Sequence, residues 1–581
     1  MLKRLRPLKP YLARYRRRYT VGLACLIIVQ AVGIVPPLLI KAAIDAMSAR
    51  VSSGKLLFYA AILLGIALGK AFFQFWMRWI LIGISRDAEY DIRNDLFRHL
   101  MRLSARYYTE TPTGELMSKL TNDLNAVRNL IGPGIMYSAS TLTVGIATVS
   151  VMLHLDWQLT LLALAPMPVV SIAVKFFGQA IHDRFEKIQE MYSRLTEKVR
   201  ENLSGVRVIR AFTQEEPEMA QFDRLNREFV EKNQGLIWIT SLMWPGMALL
   251  FAVAFMLIMV VGGHHVISGR ITVGTFAAFN VYLLYLIWPI IALGWVVNIL
   301  QRGLASLGRL NLIFQAQPDI DDRDVPPQPV TALRGEIEFR NLTFSYNGKP
   351  VLRNLSLRIP AGRTVAIVGA TGSGKSTLVS LIPRLYDAPP GTVLVDGVAI
   401  RQIPLRVLRE AIGFVPQETF LFSETIRENV RFGTAGAADS DVERAAEISN
   451  ILPEIRGFPR GFETMVGERG LTLSGGQKQR TAISRAVIRD PRILILDDAL
   501  SSVDTYTEEK ILGHLTEVMA GRTTLLISHR VSTIRHADEI VVLHDGEVAE
   551  RGRHEELLAL NGHYADLYTK QLIEEELEKE A

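Results

Sequence analysis

Two kinds of apolar pattern divide the chain. Between residues 20 and 300 the apolar positions run in blocks long enough to cross a bilayer core, which takes about 20 residues of helix. Six segments qualify: 20–45, 56–84, 130–153, 157–178, 236–262 and 273–300. From Gly335 the pattern changes to short strands. "IEFRNLTFSY" alternates apolar and polar positions over most of its length, while "RTVAIVGA" and "RILILDDA" are compact apolar runs of the kind buried in parallel sheets. The stretch 317–334 is polar and proline-rich and reads as a linker. The pattern predicts an all-α six-helix transmembrane domain over 1–316, that linker, and an α/β domain over 335–581.

The connections between the blocks alternate in length. Those near 46–55, 154–156 and 263–272 are short, whereas 85–129 and 179–235 are long and charged. The long ones keep helical spacing, with Ile92, Leu96 and Leu100 four apart on one face. Each reads as two helical extensions joined by a turn. About 20 residues would carry an extension roughly 30 Å beyond the bilayer. The turns are expected near 107–116 and 210–219, with Pro112, Gly114 and Pro217 as breaks.

Charge gives the pattern a direction. Lys3, Arg4, Arg6, Lys9, Arg14, Arg16, Arg17 and Arg18 all precede the first apolar block. The long connections add Arg86, Arg93, Arg98, Arg102, Arg106, Arg184, Arg194 and Arg200; the short loops hold mainly Arg50, Lys55 and Arg270. Cytoplasmic loops of membrane proteins carry such an excess of Arg and Lys. The N-terminus and long connections are therefore expected in the cytoplasm, and an even number of spans returns the α/β domain there. The expected location is the cell inner (cytoplasmic) membrane, multi-pass. The net charge of +6 thus points to a lipid bilayer, not to nucleic acid. The first block is long and no small-residue cleavage site closes it, so it reads as a span and not as a cleavable signal. The one cysteine, Cys25, lies in an apolar run and gives no disulfide framework.

The chemistry is concentrated in the α/β domain. "GATGSGKST", Gly369, Ala370, Thr371, Gly372, Ser373, Gly374, Lys375, Ser376 and Thr377, matches a phosphate-binding loop, follows a strand-like run and opens a helix-like one. Its glycines let backbone N–H groups point at phosphate oxygens. Lys375 would neutralise the β- and γ-phosphates and the Ser376 hydroxyl would bind Mg²⁺. In "RILILDDAL" an apolar strand ends in Asp497, the expected Mg²⁺ carboxylate, and Asp498 follows, placed to orient an attacking water.

A third motif, "LTLSGGQKQR" at 471–480, lies between these two, and the ordered set resembles an ABC exporter half-transporter over essentially the whole chain. The resemblance implies ATP and Mg²⁺ as ligands, a P-loop nucleotide-binding domain, and two cassettes packed head to tail around ATP. It implies that Tyr346 stacks on adenine, and that Gln417 reaches Mg²⁺ and the attacking water in a segment facing the membrane domain. By the same likeness Leu473, Ser474, Gly475, Gly476 and Gln477 cap a nucleotide held by the partner chain, with Asp504 on a loop crossing the interface. His529 contacts the γ-phosphate, and "TMVGERG" (464–470) touches the cytoplasmic helix turns. Plainer readings exist for some: a core tyrosine at 346, a packed histidine at 529, and Ser474 as a simple helix N-cap.

One position departs from the family pattern. Most members carry Glu directly after the Mg²⁺ aspartate, and this chain has Asp498. The carboxylate is one methylene shorter, which withdraws it by roughly 1–1.5 Å. This resembles the Asp-bearing subunit of heterodimeric bacterial multidrug exporters, where such a site is slow. The expected partner is a second ABC half-transporter bearing Glu there. The alternatives are a homodimer with two equivalent active sites, or a half whose ATP site is structural. The expected substrates are hydrophobic or amphipathic drugs, lipids or peptides. Lys70, deep in the second block, is a candidate contact for an amphipathic or anionic one. Arg78 between Trp76 and Trp79 reads as an interfacial anchor. Trp238, Trp244, Phe251, Tyr282, Tyr285 and Trp288 are candidates to line a cavity or to face lipid.

Overall fold

The structure, a computed structural model, describes all residues except Met1, 49–51, Ala435, 468–469, Leu471 and Ala581. Arg50, two residues of the 464–470 segment and the first residue of the 471–480 motif lie outside the described residues. The chain forms two compact units. One comprises 1–101 and 112–316; the other comprises 102–111 and 317–581.

The first unit is all helical. Among the described residues, six helices are long and apolar enough to span a membrane: Arg16–Met47, Ser53–Leu100, Thr113–Leu155, Trp157–Ser204, Glu215–Ile267 and Val273–Gln315. Each of the last five contains more than 40 residues, well beyond the length of one bilayer crossing, as the helical periodicity of the charged connections requires. The first span packs mainly on the second and sixth, and the fourth on the fifth. Ile34, Met152, Leu159, Ala254, Ile258, Phe279 and Tyr282 form one apolar core among them. Within it the Tyr282 hydroxyl donates to the Ile34 carbonyl at 2.7 Å, satisfying the one polar atom that ring buries. Where the sixth span starts, the Gly274 N–H and the Thr272 hydroxyl both donate to Asp45 at 2.9 Å, tying it to the first span.

Of the three expected breaks, two differ from expectation. Pro112 does break the first connection, standing immediately before the helix Thr113–Ser118. Gly114 does not, because it lies within that helix. In the second connection Pro217 sits in the first turn of Glu215–Ile267, where its missing N–H has no helical partner to lose. The chain reverses instead at Gly205 and around Thr213, whose φ is 52°.

Among its described residues the second unit holds ten strands: β1 Ile337–Tyr346, β2 Lys349–Ile359, β3 Thr364–Gly369, β4 Val393–Val395, β5 Val398–Ala399, β6 Ile412–Val415, β7 Ile493–Asp497, β8 Thr523–Ile527, β9 Glu539–His544 and β10 Glu547–Gly552. An antiparallel sheet runs β2-β1-β4-β5, and a second sheet runs β10-β9-β3-β8-β7-β6. In the second, β9, β3, β8, β7 and β6 are parallel and β10 pairs antiparallel on the edge. Buried runs on β3, β7 and β8 account for the unbroken apolar stretches in the sequence. Parallel pairing brings the C-terminal ends of β3 and β7 to one edge of the sheet, the usual place for a ligand crevice in such folds.

Candidate functional site

The loop after β3 is built around glycine. Gly372 and Gly374 have φ of 84° and 99°, left-handed conformations that other residues adopt only with strain. A side chain at Gly369 would place its Cβ 2.2 Å from the Leu543 carbonyl of the neighbouring strand. The loop runs into the helix Lys375–Leu381. Lys375 is 7% exposed, and its ammonium donates to the carbonyls of Gly369 at 2.9 Å and Ala370 at 3.0 Å. The Ser373 hydroxyl oxygen is buried with no partner among the described residues, the kind of orphan a phosphate oxygen satisfies.

β7 delivers the carboxylates. Asp497 is its last residue and is 3% exposed; one of its oxygens accepts the Ser376 hydroxyl at 3.1 Å. Burial pushes the Asp497 carboxyl above its ordinary range, against the pull of Ser376 and Lys375. Burial also lowers the Lys375 ammonium, and Asp497 and Asp498 oppose that shift. Asp498 takes a left-handed conformation, φ 50°, and its N–H donates to the Ile527 carbonyl of β8 at 2.9 Å.

These groups share one cavity of about 240 Å³, lined by Lys375, Ser376, Gln417, Asp497, Asp498 and His529, with Thr371, Gly372, Gly374 and Thr377 of the loop. Val351 and Ile527 complete the wall. No sequence motif marks either of them; only the register of β2 and β8 against the loop brings them there. Hydroxyl, carboxylate and amide oxygens converge here, a donor set suited to a hard cation such as Mg²⁺, which is typically held by one or two carboxylates plus substrate phosphates. Lys375 and the loop N–H groups supply the complementary anion site.

Tyr346 is half-buried at the end of β1 and packs edge-on against Phe344 and Tyr386, with centroids 5.0 and 5.2 Å away. Burial raises its phenol, while Thr377 at the end of the loop works the other way. It does not line the cavity itself.

The 473–477 motif is also outside that cavity. Ser474 is the N-cap of the helix Gly475–Val487: its hydroxyl accepts from the Gln477 N–H at 3.3 Å, and the Gln477 side chain accepts from the Ser474 N–H at 2.9 Å. The plainer reading of Ser474 as a cap is thus correct as far as it goes. Leu473 is buried, while Ser474 and Gly475 are exposed. Gln477 also donates to Glu454 at 2.7 Å, which Arg480 holds from the other side at 2.6 Å. Gln479, two residues on, donates to Ser501 at 2.9 Å and accepts the Ser502 N–H at 2.9 Å. The helix is therefore fastened to the segment that follows Asp498. Asp504 caps the next helix, accepting the Thr507 N–H at 2.9 Å, which holds its carboxyl below the usual range. Neither Glu454 nor Gln479 was singled out from the sequence.

Comparison with known proteins places this geometry. The family described as ABC transporter transmembrane region matches residues 19–290, and that described as ABC transporter matches 352–501. A Bacillus subtilis chain described as a probable multidrug resistance ABC transporter ATP-binding/permease protein, YheI, is 38% identical over 578 residues, 99% of this chain and 98% of that one. The ATP-dependent lipid A-core flippase of Syntrophus aciditrophicus is 36% identical, spanning 100% of this chain and 95% of its own. The Escherichia coli multidrug resistance-like ATP-binding protein MdlA is 35% identical, spanning 98% and 96%. A solved structure of a bacterial Atm1-family ABC exporter with ATP bound matches with a TM-score of 0.78 at 30% identity, covering 96% of this chain and 99% of that one. The chain is thus a multi-pass membrane protein of the ABC transporter family, an ATPase coupled to transport, with transmembrane region and ATP-binding domain on one polypeptide.

Proposed function

We propose that this chain is one half of a dimeric exporter in the cytoplasmic membrane, with its N-terminus and ATP-binding domain in the cytoplasm. It moves hydrophobic or amphipathic molecules outward, and its partner is a different half-transporter carrying Glu at the position of Asp498. Lys375 and the loop N–H groups hold the ATP phosphates. Ser376, Asp497 and Gln417 hold Mg²⁺, which neutralises charge on the phosphates when bound. Asp498 orients the attacking water, His529 contacts the γ-phosphate, and Tyr346 supports the adenine. Leu473–Gln477 cap the nucleotide on the partner, and Asp504 lies on the loop beside that interface.

One observation carries the pairing: the carboxylate lining the cavity beside His529 is Asp498, a methylene shorter than Glu. A misplacement of about 1 Å at an attacking water costs about a hundredfold in rate. The names of the relatives support hydrophobic cargo, since they include multidrug proteins and a lipid flippase.

The test is the Mg-ATPase rate of the purified chain alone. Slow turnover is expected, and Asp498→Glu should raise it, by up to about a hundredfold. Robust turnover by the lone chain, abolished by Asp498→Asn, would instead establish a homodimer with two working sites. In the assembled pair, ATP trapped at this chain without turnover would mark its site as structural.

A further inference from the structure

Lys70 stands within the second span, 17 residues into the helix Ser53–Leu100 by sequence, about 25 Å along its axis. It is half-buried, and none of its hydrogen bonds or ion pairs is found among the described residues. Its side chain folds over the first span at Gly33, where a Cβ would lie 3.2 Å from the ammonium. Gly33 is buried and provides the recess. Pro36 and Pro37 follow in the same helix and offer no N–H to the carbonyls four residues back, those of Val32 and Gly33. The recess therefore carries backbone oxygen not committed to the regular helical ladder.

The surrounding charge has one sign. Apart from Asp45 at the edge of the first, none of the six apolar segments contains Asp or Glu, yet they hold Lys41, Lys70, Arg78 and Lys175. Asp45 is committed to Thr272 and Gly274. An ionisable group at this depth pairs with a counter-charge or faces a polar pathway, because hydrocarbon does not solvate it. With Asp45 so committed, the six apolar segments hold no counter-charge for Lys70.

We propose that Lys70, seated over Gly33, reads the substrate, and that the exported molecules carry an acidic head group (carboxylate, sulfonate or phosphate) on an apolar body. This rests on the exporter reading above and adds the substrate class. The experiment places the full chain, without nucleotide, in nanodiscs of phosphatidylcholine. Two fluorescent probes are titrated: dansylated undecanoic acid and its trimethylammonium counterpart. The acid should bind the wild type about tenfold tighter than the cation. Lys70→Met should remove that preference and Lys70→Arg should retain it; if Lys70→Met does not fold, Lys70→Gln replaces it. Gly33→Ala, which crowds the ammonium, should weaken acid binding. Equal binding of the two probes, or an acid preference undiminished in both neutral variants, would overturn the proposal.

A resident anionic lipid could use the same chemistry. Adding phosphatidylglycerol to the discs should leave most acid binding intact, and ATP should drive the acid probe into inside-out vesicles from cells that make the full transporter. Displacement by that lipid with no ATP-dependent uptake would assign Lys70 to a lipid and overturn the substrate reading. Uptake of a neutral dansyl amide, measured in the same vesicles, separates the two claims. If it proceeds while the acid preference is missing, only the Lys70 reading fails. If no probe moves while the preference persists, the export reading fails.

Discussion

Asp497 shows how a single side chain can be strained by its own task. Its carboxyl is 3% exposed, and burial holds its pKa above the unfolded value. A raised pKa means the folded protein binds this proton more tightly than the unfolded chain, so ionisation destabilises the fold as pH rises through the folded pKa. That cost is carried at any pH above the raised pKa. Asp497→Asn should therefore raise the Tm of the nucleotide-free protein at pH 7, measured by scanning calorimetry. The gain should shrink as pH falls through the raised pKa and vanish below the ordinary carboxylate range. The same variant should lose Mg-ATPase activity, and Mg²⁺ should no longer shift its Tm. A variant less stable than wild type at pH 7 would show that the pairing with Lys375 and Ser376 outweighs desolvation. The motif residues themselves were legible in the sequence because a phosphate loop needs its glycines, lysine and hydroxyl in consecutive positions. Val351 and Ile527 were not, because an aliphatic wall has no required spacing and is set by strand register.

At the scale of elements, the helix Gly475–Val487 and the segment after β7 form a single fastened piece. Gln479→Ala would release the Ser501 hydroxyl and the Ser502 N–H together. At about 1 kcal/mol per hydrogen bond, the loss should be about 2 kcal/mol in denaturant titration. It should also slow hydrolysis while leaving ATP affinity nearly unchanged, since Lys375 and the loop are untouched. Equal losses in affinity and rate would place the effect elsewhere. This fastening was invisible in the sequence: Gln479 and Ser501 are 22 positions apart, and a pairing across two loops leaves no periodicity. The six spans and the strands on either side of the phosphate loop were visible, because uninterrupted apolar runs have few other folded outcomes. The helix turns were harder to place. Gly114 looked like a break but sits inside a helix, and reversal at Gly205 came from a glycine that local pattern did not distinguish from others. Of the π-helical turns in the third span, Leu130–Gly134 contains Pro133, which withholds a backbone N–H, whereas Lys119–Asp123 has no such mark in the sequence.

For the whole transporter, two composite ATP sites would depend on this chain in different ways. On the function proposed above, its Asp498 would serve the nucleotide on its own loop, whereas Ser474–Gln477 would serve the one on the partner. In the assembled pair, Ser474→Arg should therefore abolish most ATPase activity, while Asp498→Asn should remove only a small part. Steady-state rates of the two variants check this directly, and equal losses would indicate two equivalent sites. The one-signed charge of the spans has a separate consequence at this scale. A membrane held negative on the cytoplasmic side does work on every net charge that crosses it, about 2.3 kcal/mol per elementary charge per 100 mV. A cationic passenger leaving the cell climbs that field; an anionic one descends it. With lysines and, apart from Asp45, no carboxylates in its six apolar segments, the reading proposed for Lys70 would suit cargo whose exit is electrically downhill, so that the resting voltage assists ATP and does not oppose it.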